Sequence, residues 1–198
     1  MFELQDAGSQ LIAPFLQVEP GMRVIDACAG AGGKTLHLAA IMQNKGRILA
    51  MDTEEWKLDE LKKRARRSGA GNIETRVIES SKTVKRLEKS ADRLLLDVPC
   101  SGLGVLKRNP DAKWKLSQDF IDRIRQTQRN IITDYSRMIK PGGIMVYSTC
   151  SLLPSENEDQ VKTFLSTGKR EFELMEEKKI MPSEGFDGFY MARLRRNQ

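Results

Sequence analysis

Two cysteines stand where a thiol can react. Cys100 lies in Asp97-Val98-Pro99-Cys100-Ser101-Gly102 and Cys150 in Ser148-Thr149-Cys150-Ser151, each directly after an apolar run that reads as a buried β-strand. If both strands belong to one parallel sheet, their C-terminal ends share an edge, and both thiols converge on the crevice where such sheets bind ligands. A thiolate there is a nucleophile, and a thiol pair suits covalent addition followed by assisted release. Free cysteine is also commonly a small buried hydrophobe. That plainer role fits the third cysteine, Cys28, which would touch a ligand through its backbone.

A second chemical signal is the loop Asp26-Ala27-Cys28-Ala29-Gly30-Ala31-Gly32-Gly33-Lys34-Thr35, between a predicted strand and a helix beginning near Leu36. Glycines let the backbone turn tightly and approach a ligand, and the free N–H groups of a helix start attract negative charge. Three readings compete. A P-loop requires G-x-x-x-x-G-K-[ST]; Gly33-Lys34-Thr35 supplies its end, and Arg93 to Asp97 imitates the strand and magnesium-binding aspartate of an NTPase, but Cys28 stands where the first glycine belongs. A dinucleotide fingerprint fails at its last position, Thr35. The third reading is an adenosyl cofactor on the Gly-rich loop, with Asp52 at the end of the second strand accepting hydrogen bonds from two ribose hydroxyls. A carboxylate there suits an unphosphorylated ribose. Asp52 can also cap the following helix, and the two roles are compatible. Glu79, closing the third strand, is placed to address an adenine amino group, although a surface glutamate would look the same.

The elements that must position these groups follow from apolar periodicity. Strands are predicted at Arg23 to Ala29, Arg47 to Asp52, Ile73 to Glu79, Arg93 to Val98 and Ile144 to Ser148. A helix capped by Thr53 runs through Arg67, with Leu58, Leu61 and Ala65 on one face and Gly69 ending it. A longer helix after Ser117 carries Phe120, Ile121, Ile124, Ile131, Ile132, Tyr135 and Met138 and stops at Pro141-Gly142-Gly143. Its arginines, Arg123, Arg125, Arg129 and Arg137, read as a solvated face. A polar helix around Glu156 to Leu165 then leads into Phe172 to Ile180 and Phe189 to Leu194, which form an antiparallel hairpin at a sheet edge. The order predicts an α/β, doubly wound sheet, mostly parallel with an antiparallel C-terminal hairpin.

At 198 residues the chain suits one compact unit. A net charge of +6 favours a polyanionic partner such as nucleic acid. Three widely spaced cysteines without a C-x-x-C pair indicate neither a disulfide framework nor a zinc ribbon, and favour a reducing compartment. No metal is expected. No apolar stretch approaches the roughly 18 residues of a spanning helix, so no membrane partner is expected. His37, the single histidine, sits on a helix face as filler. Trp114 is a stacking platform for a base or a packing ring.

Together these residues resemble the RNA cytosine-5 methyltransferase family, which includes bacterial ribosomal RNA enzymes and the eukaryotic NOL1/NOP2/Sun proteins. Gln5 to Gln10 looks like the entry motif and Cys28 to Thr35 like the cofactor loop. Asp97 to Gly104, followed by Arg108-Asn109-Pro110-Asp111 and Trp114, is similar to the fourth motif and its extension. Ser148 to Ser151 with Glu156-Asn157-Glu158 matches the sixth, and Asp187 to Ala192 looks like the closing strand. Five such matches in order are specific where one is not.

The resemblance implies a Rossmann-like class I methyltransferase fold using S-adenosylmethionine, held by Cys28, Ala29, Gly30, Ala31, Gly32, Gly33, Lys34, Asp52, Glu79 and Asp97. It implies that Cys150 adds to carbon 6 of a cytosine, activating carbon 5 for methylation, while Cys100 assists release and Asp97 and Lys34 hold the base. The implied partner is ribosomal RNA or tRNA, in a single-stranded loop or bulge where extruding a base costs least. Residues 1–198 are then expected to be one catalytic domain, monomeric and cytoplasmic, lacking the N-terminal RNA-binding part common in the family. Two positions depart from the family pattern. Gly30-Ala31 replaces an Ala-Pro pair, implying a looser loop, and Glu79 stands where aspartate is usual. The rival readings are a DNA cytosine-5 methyltransferase with Cys100 as nucleophile, a non-catalytic basic RNA-binding module, and a P-loop-like NTPase.

Overall fold

The computed structural model describes residues 4–167 and 171–198. In chain order, two short helices, α1 (Ala7–Gln10) and α2 (Ile12–Phe15), precede β1 (Arg23–Asp26), α3 (Gly33–Ile41), β2 (Arg47–Asp52), α4 (Glu55–Ser68), β3 (Ile73–Val77), α5 (Ser81–Lys85) and β4 (Ala91–Asp97). Then come α6 (Ala112–Lys115), α7 (Gln118–Tyr135), β5 (Ile139–Thr149), α8 (Glu158–Thr167), β6 (Phe172–Ile180) and β7 (Phe189–Arg196). The strands form one sheet in the order β3-β2-β1-β4-β5-β7-β6. The five strands from β3 to β5 are parallel, and β7 runs antiparallel to both β5 and β6. The expected α/β sheet with an antiparallel C-terminal hairpin is what is observed.

The order matters for function. From β1 the chain steps outward to β2 and β3, then returns to place β4 on the other side of β1. Such a reversal leaves a crevice beyond the C-terminal strand ends, with connections leaving to opposite faces. β1, β2, β4 and the second half of β5 are buried on both faces, as expected of parallel strands covered by helices. α4 buries Leu58, Leu61 and Ala65 as its spacing predicts, and Gly69, at φ 73°, ends it in the left-handed conformation that glycine adopts without strain.

Several boundaries differ from the sequence expectation. β1 ends at Asp26, and Ala27 to Ala29 bend away, although Ala27 N–H still reaches the Leu95 carbonyl at 3.0 Å and Ala29 N–H the Met51 carbonyl at 2.9 Å. The loop therefore begins earlier than alternation suggests. β3 likewise stops at Val77. Thr53 does not cap α4; the Asp52 Oδ1 atom accepts from the Glu54 N–H at 3.0 Å instead. α7 ends at Tyr135, not at Pro141, because a 3-10 turn over Ser136–Met138 redirects the chain into β5. Pro141-Gly142-Gly143 lies inside β5, where pairing with β4 shifts register between Ala91 and Arg93.

Leu95 sits at the centre of the sheet on β4, with no exposed surface. Leu95→Ala is expected to cost about 3 kcal/mol through lost burial and the cavity left behind, measured by urea denaturation with an unchanged m-value.

Candidate functional site

Pairing between β4 and β5 sets the geometry. Asp97 lies opposite Ser148 in register, so Cys100 and Cys150 leave neighbouring strand ends within three residues of that pair. Their sulfurs are 3.2 Å apart. A buried polar cluster fixes the two loops. Glu156 has no exposed surface and accepts from the Ser101 N–H at 2.9 Å, from the Ser101 hydroxyl at 2.5 Å, from the Ser151 hydroxyl, and from Gln128 Nε2 at 3.0 Å. Ser101 follows Cys100 and Ser151 follows Cys150, so one carboxylate ties both cysteine loops together. Gln128 also donates to the Pro99 carbonyl at 3.0 Å.

Gly104 closes the cluster from outside. Its N–H donates to the Cys150 carbonyl at 2.8 Å, and a Cβ there would meet the Gly188 carbonyl oxygen at 2.0 Å and that of Cys150 at 2.7 Å. Only glycine permits this approach.

The charged groups come from β1, α3 and β4. Lys34 Nζ lies 2.6 Å from Asp97 Oδ2, and the Ser148 hydroxyl donates to Asp97 Oδ1 at 2.9 Å. Asp26, 1% exposed, accepts from the Thr35 hydroxyl at 2.7 Å, while its Oδ1 has no partner. Burial pushes the Asp26 carboxyl up to about 7 against the Thr35 hydrogen bond, and the nearby Asp97 adds to the rise. Burial alone would lower the Lys34 ammonium, but the Asp97 carboxylate holds it above the ordinary lysine value. The two thiols diverge. Cys150 lies below an ordinary cysteine because of its hydrogen bond with the Cys100 thiol, with Lys34 aiding against burial and Asp97. Cys100 is raised well above the ordinary value by that same bond and by burial. Cys150 is therefore the more available thiolate. Burial raises Cys28, and Asp26 adds to it.

Two cavities meet at Cys28 and Asp97, and neither Cys100 nor Cys150 is among their wall residues. One, of about 270 Å³, is lined by Asp26, Lys34, Asp97, Arg108 and residues of the entry segment including Gln5 and Ser9. The other, of about 420 Å³, is lined by Gly30, Asp52, Ile78, Pro99, Ile131 and Tyr135 among others. Cys28 and Asp97 line both. Asp52 lies at the second cavity with Oδ2 accepting from the Gly30 N–H at 2.9 Å, so strand end and Gly-rich loop are cross-linked. The Asp52 carboxylate, the left-handed Gly30 and the apolar wall of Ile78, Ile131 and Tyr135 form a set that suits an adenosyl group.

Comparison with known proteins agrees with this geometry. The family model described as 16S rRNA methyltransferase RsmB/F matches residues 13–195. The chain belongs to this family. A probable ribosomal RNA small subunit methyltransferase B from Synechocystis is 41% identical over 165 residues, covering 82% of this chain and 36% of the relative. The mouse tRNA (cytosine(72)-C(5))-methyltransferase NSUN6 is 36% identical over 176 residues, covering 83% of the chain and 36% of the relative. The crystal structure of NSun6 from Pyrococcus horikoshii with SFG superposes with a TM-score of 0.88 at 29% identity, over 98% of this chain and 53% of that one. The chain thus spans little more than a third of the length of these curated relatives. The class I methyltransferase fold and the family anticipated from the motifs both stand.

Within this RsmB/F domain the predicted residues are not all equivalent. Cys100, Cys150, Asp97 and Lys34 come together. Cys28, Ala29, Ala31, Gly32, Gly33 and Lys34 wall the smaller cavity, while Gly30 and Asp52 wall the larger. Glu79 does not join them: it is exposed, and its neighbour Ile78 lines the cavity instead. Trp114 is 80% exposed, with the Lys113 ammonium 4.8 Å from the ring centre, so it is not a packing ring. Arg125 of α7 and Arg137 of the 3-10 turn after it pair with Asp122 and Asp134, as a solvated face would. His37 is half-buried, and burial lowers its pKa. Asp26 and Glu156 were missing from the expected site. Asp26 falls inside the strand expected over Arg23 to Ala29, and Glu156 in the polar helix start that matches the sixth motif; neither was given a role in the site. Among the described residues no cluster suited to a metal is present and no helix is long and apolar enough to cross a membrane.

Two substitutions test the clamp. Glu156→Ala removes the shared acceptor of four buried donors, of which Gln128 keeps the Pro99 carbonyl and the two serine hydroxyls keep each other, and should cost about 3 kcal/mol in chemical denaturation. Cys100→Ala removes the hydrogen-bond partner that lowers Cys150, so the pH midpoint for iodoacetamide alkylation of Cys150, followed by peptide mass spectrometry, should move upward. An unmoved midpoint would show that Cys100 is not what lowers it.

Proposed function

We propose that this domain transfers a methyl group from S-adenosylmethionine to carbon 5 of a cytosine in ribosomal RNA or tRNA, through a covalent bond from Cys150 to the base. The observation that carries the reading is the 3.2 Å sulfur pair beside the Lys34–Asp97 ion pair, where two cavities meet. The larger cavity takes the cofactor, with Asp52 on the ribose and Gly30 beside it, and its methyl-bearing end directed to Cys28 and Asp97, where the cavity meets the smaller one. When bound, that cofactor supplies an electrophilic methyl group. The smaller cavity takes the extruded base.

Each residue then has a task set by its surroundings. Asp97 accepts from the exocyclic amine of cytosine, and Lys34 donates to the adjacent ring edge, stabilising the negative charge that develops as sulfur adds. Uracil would present an oxygen to the Asp97 carboxylate and is rejected. The Cys150 thiolate adds to carbon 6, breaking aromaticity and making carbon 5 nucleophilic. After transfer, the carbon 5 proton passes to solvent water as the ring double bond re-forms and the Cys150–carbon 6 bond breaks, and the sulfur leaves as a thiolate that accepts a hydrogen bond from the Cys100 thiol. Its raised pKa keeps that donor protonated. This acidity order favours Cys150 over Cys100 as the nucleophile, against the DNA-enzyme arrangement.

The test is a pair of variants in a tritiated methyl-transfer assay on transcribed RNA. Cys150→Ser should lose activity by about three orders of magnitude or more while binding S-adenosylhomocysteine normally. Cys100→Ser should accumulate an RNA–protein adduct that survives denaturing electrophoresis. Full activity of the first variant, or an adduct formed by it rather than by the second, would overturn the assignment.

A further inference from the structure

Beyond the cofactor cavity lies another, of about 590 Å³, on the flank formed by α5 and α7. The two share Ile78, Thr127, Ile131 and Tyr135 as wall residues. The larger, outer cavity continues over Val84 and opens among Ser81, Lys85 and Asn130. It has no role in the proposed reaction.

Chemistry fixes which end of a bound adenosyl ligand faces it. The reacting centre must lie where the cofactor and base cavities meet, at Cys28 and Asp97. The ribose hydroxyls belong at Asp52, the carboxylate lining the middle of the slot. The adenine is then left with the remaining end, walled by Ile78, Ile131 and Tyr135, the residues shared with the outer cavity. A second observation bears on the same edge. Glu79, the acid expected at the exocyclic amine, is exposed and lines neither cavity. The walls there are the apolar Ile78, Ile131 and Tyr135 with Thr127, and the outer cavity adds Val84 on the apolar side and Ser80 and Asp134 on its polar side.

We propose that the outer cavity is a subsite for groups carried on the adenine's exocyclic amine, so that this domain binds adenosyl ligands bearing an aryl substituent there. An aryl group leaving the amine would pack between Ile78, Val84 and Ile131 and reach the polar rim at Lys85 and Asn130. The inference rests on the larger cavity being the cofactor site, and the experiment separates the two.

Calorimetry with the intact chain compares S-adenosylhomocysteine with its N6-benzyl derivative. The derivative is expected to bind within about threefold of the parent, and Asn130→Trp, which fills the outer cavity from the exposed face of α7, should weaken the derivative by about tenfold or more while leaving the parent unchanged. Ser81→Trp, from the opposite wall, should act alike and guards against a local effect of one variant. Binding of the parent with a hundredfold or greater loss for the derivative would overturn the subsite alone. Equal loss of both ligands in the tryptophan variants would also overturn it. Failure of the parent to bind the unaltered chain would remove the cofactor assignment and the subsite together.

Discussion

The arrangement depends on a buried carboxylate whose named donors are all neutral. Burying a carboxylate costs several kcal/mol. Glu156 offsets this with two serine hydroxyls, a backbone N–H and a glutamine amide, each such bond contributing about 1.5–3 kcal/mol. The two sides are comparable, so the cluster's net contribution to stability is small. What it fixes is position. Ser101 and Ser151 are adjacent in sequence to the two thiols, and Gln128 holds the residue before Cys100. The Tyr147 hydroxyl also donates to the Glu156 carbonyl at 2.7 Å, anchoring the acid to β5. Two loops leaving a sheet edge would otherwise have freedom that a 3.2 Å sulfur contact cannot tolerate.

Charge around the sulfurs is set by one cation among several acids. Lys34 faces Asp97 directly and acts on Asp26 and Cys150 as well. With Asp97 salt-bridged, a second full negative charge on Asp26 would compete for the same ammonium, and burial already disfavours it. Its pKa of about 7 follows chiefly from burial, with Asp97 adding to the rise and Thr35 and Lys34 opposing it. A partly protonated Asp26 leaves more of the Lys34 field for the thiolate at Cys150. The dominant influence on Cys150 is nevertheless the neighbouring thiol rather than the lysine. The pair therefore works by asymmetry: the same sulfur–sulfur hydrogen bond lowers Cys150 and raises Cys100, and Lys34 adds to the lowering at Cys150.

Much of this was legible in the sequence, for definable reasons. β2 and the β6–β7 hairpin followed directly from alternation and turn residues. Cys100 and Cys150, fifty residues apart, could be placed side by side because each follows a strand and parallel strands end on one edge. The distance between them could not be read, since it depends on the Asp97–Ser148 register and on Glu156. Boundaries near the site were the least legible. Ala27 to Ala29 have strand-like composition, but the Gly-rich loop pulls them out of the ladder. Pro141-Gly142-Gly143 signals a helix stop, yet here it opens a strand whose pairing is irregular. Glu79 looked like a ligand because β3 was expected to run two residues further than it does.

The Gly30-Ala31 substitution in the cofactor loop shows how local composition and tertiary contact trade against each other. Losing a proline widens the conformations open to the unfolded loop, a cost of about 1 kcal/mol or less. Gly30 at φ 53° is itself a conformation that most residues avoid. The folded loop is nonetheless fastened at three points: Gly30 N–H to Asp52, Gly32 N–H to the Ala29 carbonyl at 2.9 Å, and the Arg64 guanidinium to the Ala31 carbonyl at 2.7 Å. Gly32 also rests on Leu61 of α4, so closely that a Cβ would lie 2.5 Å from the leucine Cγ. Rigidity that a proline would supply from within the chain is supplied here by the neighbouring strand and helix. The looseness implied by composition alone is thus offset in the fold, and Asp52 holds the loop with the same carboxylate that would receive the ribose.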